Sequence, residues 1–244
     1  MEDMLMTDIL KIMEQRHSTR VPYDPNRPVA KEDLGRIIEA ARWAPTAHNM
    51  QNFEVLVVDD KEVLEEIGDI KSRVSEAFIR ENYLQLSFSR EELLQKKVGI
   101  LGTAFPPDWR DPARLDKAVH ESRPSPLNQR VRGSPMLLIV VYDARKRAPA
   151  SEGDVLGFIS LGCVMENMSL MAQSVGISVQ VLSVFSGDAV EKEVKRILNV
   201  PEYMKVAFAL RLGYPVSAPV RSLRVRRDAE RFTHHNRFGY QGFG

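Results

Sequence analysis

The chain has 244 residues, of which 43% are hydrophobic and 27% are charged, and its formal net charge is +1. This length suits one domain, and the balanced charge excludes a general binder of polyanions. A single cysteine excludes an internal disulfide or a site with several thiolates, which agrees with a cytoplasmic protein. Acidic residues interrupt the apolar pattern of residues 1–15, and Glu166 and Asn167 interrupt the longest apolar run, so we expect neither a secretion signal nor a membrane span.

The first predicted elements are two helices and a strand. Apolar residues at helical spacing predict an amphipathic helix over residues 4–13 and a second helix over residues 31–43. Pro28 stands before the second helix and Pro45 ends it, because proline disfavours helical geometry in the residue before it. The β-branched run Phe53–Val58 then predicts a short strand.

The middle of the chain has a more charged and less regular pattern. Residues 61–97 are predicted to be helical, and the proline-rich stretch after them is predicted to be irregular up to about Gly133. Residues 136–142 form a continuous apolar run, which predicts a strand buried on both faces.

The second half of the chain indicates the class of fold. A long helix is predicted over residues 154–175, apolar on nearly all sides and ended by Gly176. Two more strands are predicted over residues 178–184 and 205–212, with a helix over residues 188–198 between them. This mixture without strict alternation favours an α+β sandwich over a doubly wound parallel sheet. No Gly-x-Gly-x-x-Gly follows a strand, so a Rossmann dinucleotide site has no support.

Two stretches, here named the arginine loop (residues 16–20) and the amide turn (residues 44–51), carry candidate chemistry. The arginine loop reads Arg-His-Ser-Thr-Arg, and guanidinium groups bind phosphate or paired ring acceptors in a forked geometry. On their own these arginines are more typical of surface ion pairs, for example with Asp24. The small residues of the amide turn admit a flat ligand, and Asn49 and Gln51 donate to and accept from a pyrimidine-like edge. Together the stretches suit an anionic ligand with a flat heterocycle, such as FMN.

In order and spacing these stretches resemble the N-terminal signature of the FMN-dependent nitroreductase family. The matching residues are Arg16-His17-Ser18-Thr19-Arg20, then Ala41-x-x-Ala44-Pro45-Thr46-Ala47-x-Asn49-x-Gln51, then a strand over residues 55–58. The apolar helix before Gly176, the strand and turn over residues 206–215 and the arginine-bearing tail resemble the family's dimer helix, last core strand and C-terminal arm. The likeness therefore spans essentially the whole chain.

The resemblance implies a fold and a domain organisation. It implies an α-β-α sandwich with a mixed, mostly antiparallel sheet around a central apolar helix. Residues 1–244 are expected to form a single FMN-binding domain, with a lid-like excursion at about residues 71–132 and a C-terminal arm at about residues 216–244. The excursion cannot be aligned with the family's sequence pattern. In the family this region covers the flavin and shapes the substrate pocket, so it is expected to determine which substrate binds. Asn52-Phe53 also departs from the common Pro-Trp.

The resemblance also assigns residues to the cofactor. Arg16 and Ser18, with His17 between them, are expected to hold the phosphate. Arg20 is expected beside the N1/O2 side of the isoalloxazine ring, where a cation stabilises the reduced flavin. The contacts expected from the second subunit are Pro45, Thr46, Ala47 and Asn49. The remaining expected contacts are Ser183 near the ring, Arg224 or alternatively Arg221 at the phosphate, and Asn82 as an amide partner.

The activity implied is that of an FMN-dependent oxidoreductase that takes hydride from NADH or NADPH. It would reduce nitroaromatic or quinone-like acceptors by a ping-pong mechanism, as a homodimer with its sites at the interface. No side chain is expected to be an obligatory acid or base, because the flavin N5 carries the chemistry. Three alternatives stay open: a reductive dehalogenase, a flavin-destructase-like enzyme, and a protein that binds FMN without turnover.

Other features favour ordinary structural roles. The tail has six arginines, but it carries no nucleic-acid-binding motif, so an arm on the partner subunit is the preferred interpretation. The pair His234-His235 has no third ligand nearby, so no metal site is expected. Cys163 is expected in the core. His17 and His48 are expected to pack or form hydrogen bonds rather than to donate protons to a substrate.

Overall fold

The computed structural model describes residues 2–81, 86–104, 106–121, 127–218 and 223–240. The chain forms two compact units. The first combines Met1–Ser72 with Pro126–Pro219, and the second combines Arg73–Ser125 with Val220–Gly244. The second unit thus joins most of the predicted excursion to most of the predicted arm, an association that the sequence did not indicate. The assignment of a single domain with a lid stays a prediction.

The described elements follow one another along the chain with short connections. The helices are α1 (Glu2–Gln15), α2 (Lys31–Arg42), α3 (Lys61–Gly68), α4 (Glu76–Glu81), α5 (Arg90–Lys96), α6 (Pro112–His120), α7 (Leu127–Arg132), α8 (Val155–Ser174) and α9 (Asp188–Ile197). The strands are β1 (Phe53–Val58), β2 (Ser87–Phe88), β3 (Ile100–Leu101), β4 (Met136–Asp143), β5 (Ser178–Leu182) and β6 (Met204–Gly213).

The first unit is built on a four-stranded sheet in the order β1-β4-β6-β5, in which all neighbouring strands are antiparallel. Successive residues of β4 point to opposite faces of the sheet. Leu138 and Val140 enter a core with α2 and α8, whereas Leu137 and Ile139 enter a second core with α3, α7 and α9. The sheet therefore lies between two helical layers, which confirms the predicted α+β sandwich.

The long apolar helix α8 supplies one side of the first core. Leu161, Val164, Met168 and Ala172 recur at helical spacing and are buried there. Among the described residues it is the one helix whose length and mean hydropathy would suit a membrane span. One side of this helix packs against α2 and the sheet, whereas the large apolar residues of its first turns are exposed.

The predicted elements differ most from the structure between β1 and β4. The segment predicted to be helical over residues 61–97 is divided: α3 ends at Gly68, and α4, β2 and α5 follow it as short elements. Ser89 and Glu92 form a capping box that starts α5, a signal hidden in the charged pattern. The stretch predicted to be irregular up to Gly133 contains α6 and α7. The side chain of Asp111 caps α6 and Pro112 occupies its first turn, where proline favours a helix because no N–H is needed.

The strand boundaries need one further correction. The strand predicted over residues 178–184 ends at Leu182, and a short 3-10 turn, Ser183–Ser186, follows. Ser183 therefore belongs to a turn rather than to the sheet. The other predicted strands lie within one residue of β1, β4 and β6.

The buried carboxylate at the end of β4 gives a prediction for acid stability. Arg145 donates from Nε and Nη2 to Asp143 over 2.9 and 2.8 Å, and these hydrogen bonds lower the pKa of Asp143 from 3.8 to about 2. Because the folded pKa is the lower one, the stabilisation is present above about pH 4 and is lost as the pH falls toward 2. Asp143→Asn is expected to flatten the fall of Tm between those values in thermal unfolding. Arg145→Gln is expected to do the same, and an unchanged slope in both variants would contradict the assignment.

Candidate functional site

The arginine loop is fixed to the edge of the sheet in the first unit. Ser18 forms a parallel bridge with Val179 of β5, and the amide of Thr19 donates to the Val179 carbonyl over 2.9 Å. Further along, the amide of Tyr23 donates to the Gly133 carbonyl over 3.0 Å. These backbone hydrogen bonds therefore fix the path of the chain through and after the arginine loop.

Arg16 lies against the central helix. Its Nε lies 3.2 Å from Oε1 of Glu166 in α8, and the two side chains are 31% and 44% exposed. This contact is an ion pair without a hydrogen bond, and Arg16 Nε is buried. Arg16 therefore has an acidic partner, but this partner is Glu166 rather than Asp24. A small cavity lies here, between the arginine loop and α8.

Arg20 and His17 differ from Arg16 in their surroundings. The side chain of Arg20 is exposed, and no carboxylate of the described residues forms an ion pair with it. Burial and, second, the charge of Arg20 lower the pKa of Arg130 in α7, so two cations share this region. His17 Nδ1 lies 2.9 Å from the Gln15 carbonyl, which agrees with the expected hydrogen-bonding role.

The amide turn has an unusual backbone. His48, Asn49 and Gln51 have φ of 50, 53 and 44°, in the left-handed region that residues with a side chain rarely adopt. Such conformations persist only where the surroundings impose them, and they cluster at ligand sites. Here the amide of Gln51 donates to Thr46 Oγ1 over 3.2 Å, and Gln51 Nε2 donates to Asn49 Oδ1 over 2.9 Å. The amide of Ala47 donates to Ser160 Oγ of α8 over 2.9 Å.

The arginine loop and the amide turn both contact α8, but on different sides of it. Ser160 holds the amide turn and Glu166 faces Arg16. At this spacing the two positions are about 9 Å apart along the helix axis and about 120° apart around it. Within one chain the two stretches therefore do not share a face of the helix.

The remaining predicted residues are distributed along the chain. Ser183 is exposed in the turn after β5, and its carbonyl accepts from Ser186 Oγ over 2.8 Å. Arg224 lies in the second unit, and its approach to the phosphate stays a prediction. Arg221 and Asn82 lie outside the described residues. Pro45 directly precedes Thr46, at the start of the amide turn.

Three residues of this region were missed from the sequence: Ser160, Glu166 and Arg211. Ser160 and Glu166 are two of several polar residues in a mostly apolar helix, and Arg211 interrupts the apolar strand β6. A polar or charged residue inside an apolar element usually has a buried partner. That signal identifies all three positions, although it does not identify their partners.

A sheet between two helical layers, with an arginine loop and a strained turn against its central helix, defines an α-β-α sandwich protein. The model of the nitroreductase family matches residues 13–214, which include both stretches and every strand of the four-stranded sheet. The chain belongs to the nitroreductase family. This confirms the resemblance found in the sequence.

Individual relatives are distant in sequence. An NADPH-dependent oxidoreductase of Staphylococcus haemolyticus (strain JCSC1435) is 21% identical over 232 residues, which cover 93% of this chain and 73% of that protein. The FMN-dependent nitroreductase of Clostridium difficile R20291 is 18% identical with a TM-score of 0.57, covering 93% of this chain and 98% of the other. A nitroreductase with bound FMN from Bacteroides fragilis NCTC 9343 is 20% identical with a TM-score of 0.54, covering 91% and 96%. These solved structures share the fold.

Proposed function

We propose that this protein is an FMN-dependent oxidoreductase that takes hydride from NADH or NADPH and reduces nitroaromatic or quinone-like acceptors by a ping-pong mechanism. Family membership supports the reaction class, as do the relatives described as an NADPH-dependent oxidoreductase and an FMN-dependent nitroreductase. The observation that carries the proposal is the buried Nε of Arg16, which contacts the Glu166 carboxylate at 3.2 Å without forming a hydrogen bond. It lies in the loop that the family resemblance assigns to the phosphate.

The residues of the arginine loop fit a phosphate monoester. A guanidinium group forms its strongest hydrogen bonds with phosphate and carboxylate oxygens, often two at a time. Arg16 already faces one carboxylate, that of Glu166, and its Nε has no hydrogen-bond acceptor. Phosphate oxygens would supply that acceptor, with the Ser18 hydroxyl two residues further along the loop. Arg16 and Ser18 are thus the residues proposed to hold the phosphate of FMN.

Bound FMN supplies the two-electron redox chemistry, and the chain supplies position and charge. Arg20 and Arg130 place two cations in one region of the first unit. Positive charge beside the N1/O2 side of the ring favours the anionic reduced form and so raises the reduction potential. In the amide turn, Ser160 Oγ accepts a hydrogen bond from the Ala47 amide, and the left-handed residues His48, Asn49 and Gln51 follow along the chain.

The exposed face of α8 supports the proposal of a homodimer with interfacial sites. Val155, Leu156, Phe158 and Ile159, here named the apolar face of α8, are 56%, 40%, 55% and 56% exposed. A contiguous apolar surface on a soluble protein marks a site of association. The arginine loop and the amide turn lie on different sides of α8, so each cofactor would take one stretch from each subunit. The protein is proposed to be cytoplasmic and to act on a small molecule rather than on nucleic acid or a membrane.

Three measurements test this function. The purified protein is expected to show the absorbance of bound FMN, and anaerobic stopped-flow mixing with NADH and with NADPH is expected to bleach it. Steady-state rates at varied donor and acceptor concentrations are expected to give the parallel reciprocal plots of a ping-pong mechanism. A colourless protein that cannot be reconstituted with FMN would exclude both the enzyme and a sequestering role. Bound FMN that neither nucleotide reduces would favour sequestration.

A further inference from the structure

Arg211 is an arginine buried inside the sheet. It lies in β6, directly opposite Gln180 of β5, and only 1% of its surface is exposed. Arginine is almost never fully buried unless its charge is paired. Within the described part of the chain, however, no carboxylate forms an ion pair with it. Burial accordingly lowers the pKa of Arg211.

The guanidinium is held by neutral groups instead. Its Nε donates to Gln180 Oε1 over 2.8 Å, and its Nη1 donates to Ser134 Oγ over 3.4 Å. Its Nη2 donates to the carbonyls of Thr19 over 3.1 Å and of Val21 over 2.8 Å. Removing this buried donor would deprive acceptors such as Gln180 Oε1 of the hydrogen bond that Arg211 supplies in the interior, which is costly.

The two carbonyls bound by Nη2 flank Arg20. Both are drawn inward, toward β6, while the side chain of Arg20 between them is exposed. The Thr19 carbonyl has a second donor, since the hydroxyl of Tyr23 bonds to it over 3.0 Å. Burial raises the pKa of Tyr23 to about 12, so the hydroxyl keeps its proton over the physiological range. The Tyr23 ring also lies 4.1 Å from the guanidinium carbon.

We propose that Arg211 is a positioning residue, which fixes the backbone on both sides of Arg20 and thereby sets how the arginine loop presents Arg16, Ser18 and Arg20 to FMN. This inference rests on the proposed function. Gln180 and Ser134 fix the planar guanidinium through Nε and Nη1, so the two N–H bonds of Nη2 point at the two carbonyls in fixed directions. An ammonium group on a flexible stem lacks this fixed geometry. The lack of a carboxylate partner also has a consequence, because a paired acid would cancel part of the positive charge near the loop.

The test compares FMN with riboflavin, which lacks the phosphate, in Arg211→Gln. Titrations are run well below the unfolding temperature, so that only folded protein is measured. Arg211→Gln is expected to weaken FMN binding about tenfold and riboflavin binding by less than about threefold, because a displaced arginine loop loses mainly its charge-assisted bonds to phosphate. Arg211→Lys is expected to restore little of the FMN affinity. Equal losses for both ligands, or no loss, would show a role in stability alone.

A double-mutant cycle makes the test sharper. If Arg211 acts through the loop, Arg211→Gln is expected to change the selectivity for FMN over riboflavin in the native background but not in Arg16→Ala. The same change in both backgrounds would overturn the inference. If Arg211→Gln does not fold, Gln180→Met replaces it in the cycle. This substitution keeps a similar side-chain volume but removes the oxygen that accepts from Arg211 Nε. A native protein that binds neither ligand would overturn the proposed function, and this inference with it.

Discussion

Arg16→Ala is expected to weaken FMN binding about a hundredfold while leaving riboflavin binding within about threefold. A charge-assisted hydrogen bond to a buried site is worth about 1.5–3 kcal/mol, and about 2.7 kcal/mol corresponds to a factor of a hundred. Arg16 is proposed to form such bonds only with the phosphate, which riboflavin lacks. Titration of flavin fluorescence or absorbance measures both affinities in the same protein.

Two further arginines serve as controls for Arg16→Ala. Arg36 in α2 is exposed and pairs with Asp33, so Arg36→Ala is expected to bind both flavins as the native protein does. Arg20→Ala is expected to keep most of the selectivity for FMN and instead to shift the reduction potential of the bound flavin to a more negative value. If Arg16→Ala leaves the selectivity for FMN over riboflavin unchanged, Arg16 does not bind the phosphate.

Ile159→Asp is expected to convert the proposed homodimer into a monomer that retains little FMN. Ile159 lies in the apolar face of α8 and is 56% exposed in the single chain. A carboxylate there would be desolvated without a partner if two such faces pack together. Light scattering after size exclusion gives the mass, and the flavin absorbance of the same peak gives the occupancy.

Leu94→Asp is the matched control for Ile159→Asp. Leu94 lies in α5 of the second unit and is 48% exposed, so it has similar chemistry and exposure outside α8. It is expected to leave the mass unchanged. A dimeric Ile159→Asp variant, or a native protein that is already monomeric, would contradict the proposed interface.

Much of the fold could be predicted from the sequence, because the spacing of hydrophobic residues indicates which faces of an element are buried. The run 136–142 predicted a strand buried on both faces, and β4 does enter two cores. In the second unit the pattern was less informative. There the elements are short, β2 and β3 have two residues each, and their starts depend on side-chain caps such as those of Ser89 and Asp111. Local capping decides such elements, and it is invisible to a search for hydrophobic periodicity.

The sequence suggested which residues are candidates for the site, but not which distant residues form hydrogen bonds with them or with their neighbours. Arg16, Ser18 and Asn49 could be selected because phosphate and flat heterocycles need such groups. The residues that bind the backbone of the two stretches lie far along the chain: 113 positions separate Ala47 from Ser160, and 192 separate Thr19 from Arg211. The left-handed backbone of the amide turn was also hidden, since His48 and Gln51 are not glycine.

The contact between Arg16 and Glu166 has a consequence for selectivity among anions. Glu166 is attached to the same chain, so its carboxylate acts at an effective concentration on the order of millimolar or higher. A free inorganic anion binds through one group only, and it must displace the Glu166 carboxylate to reach Arg16. FMN is proposed to bind through its ring as well, so it can displace the carboxylate with the help of a second anchor. The ion pair between Arg16 and Glu166 would thus lower the affinity for a small anion more than the affinity for FMN, which is proposed to bind through both its phosphate and its ring.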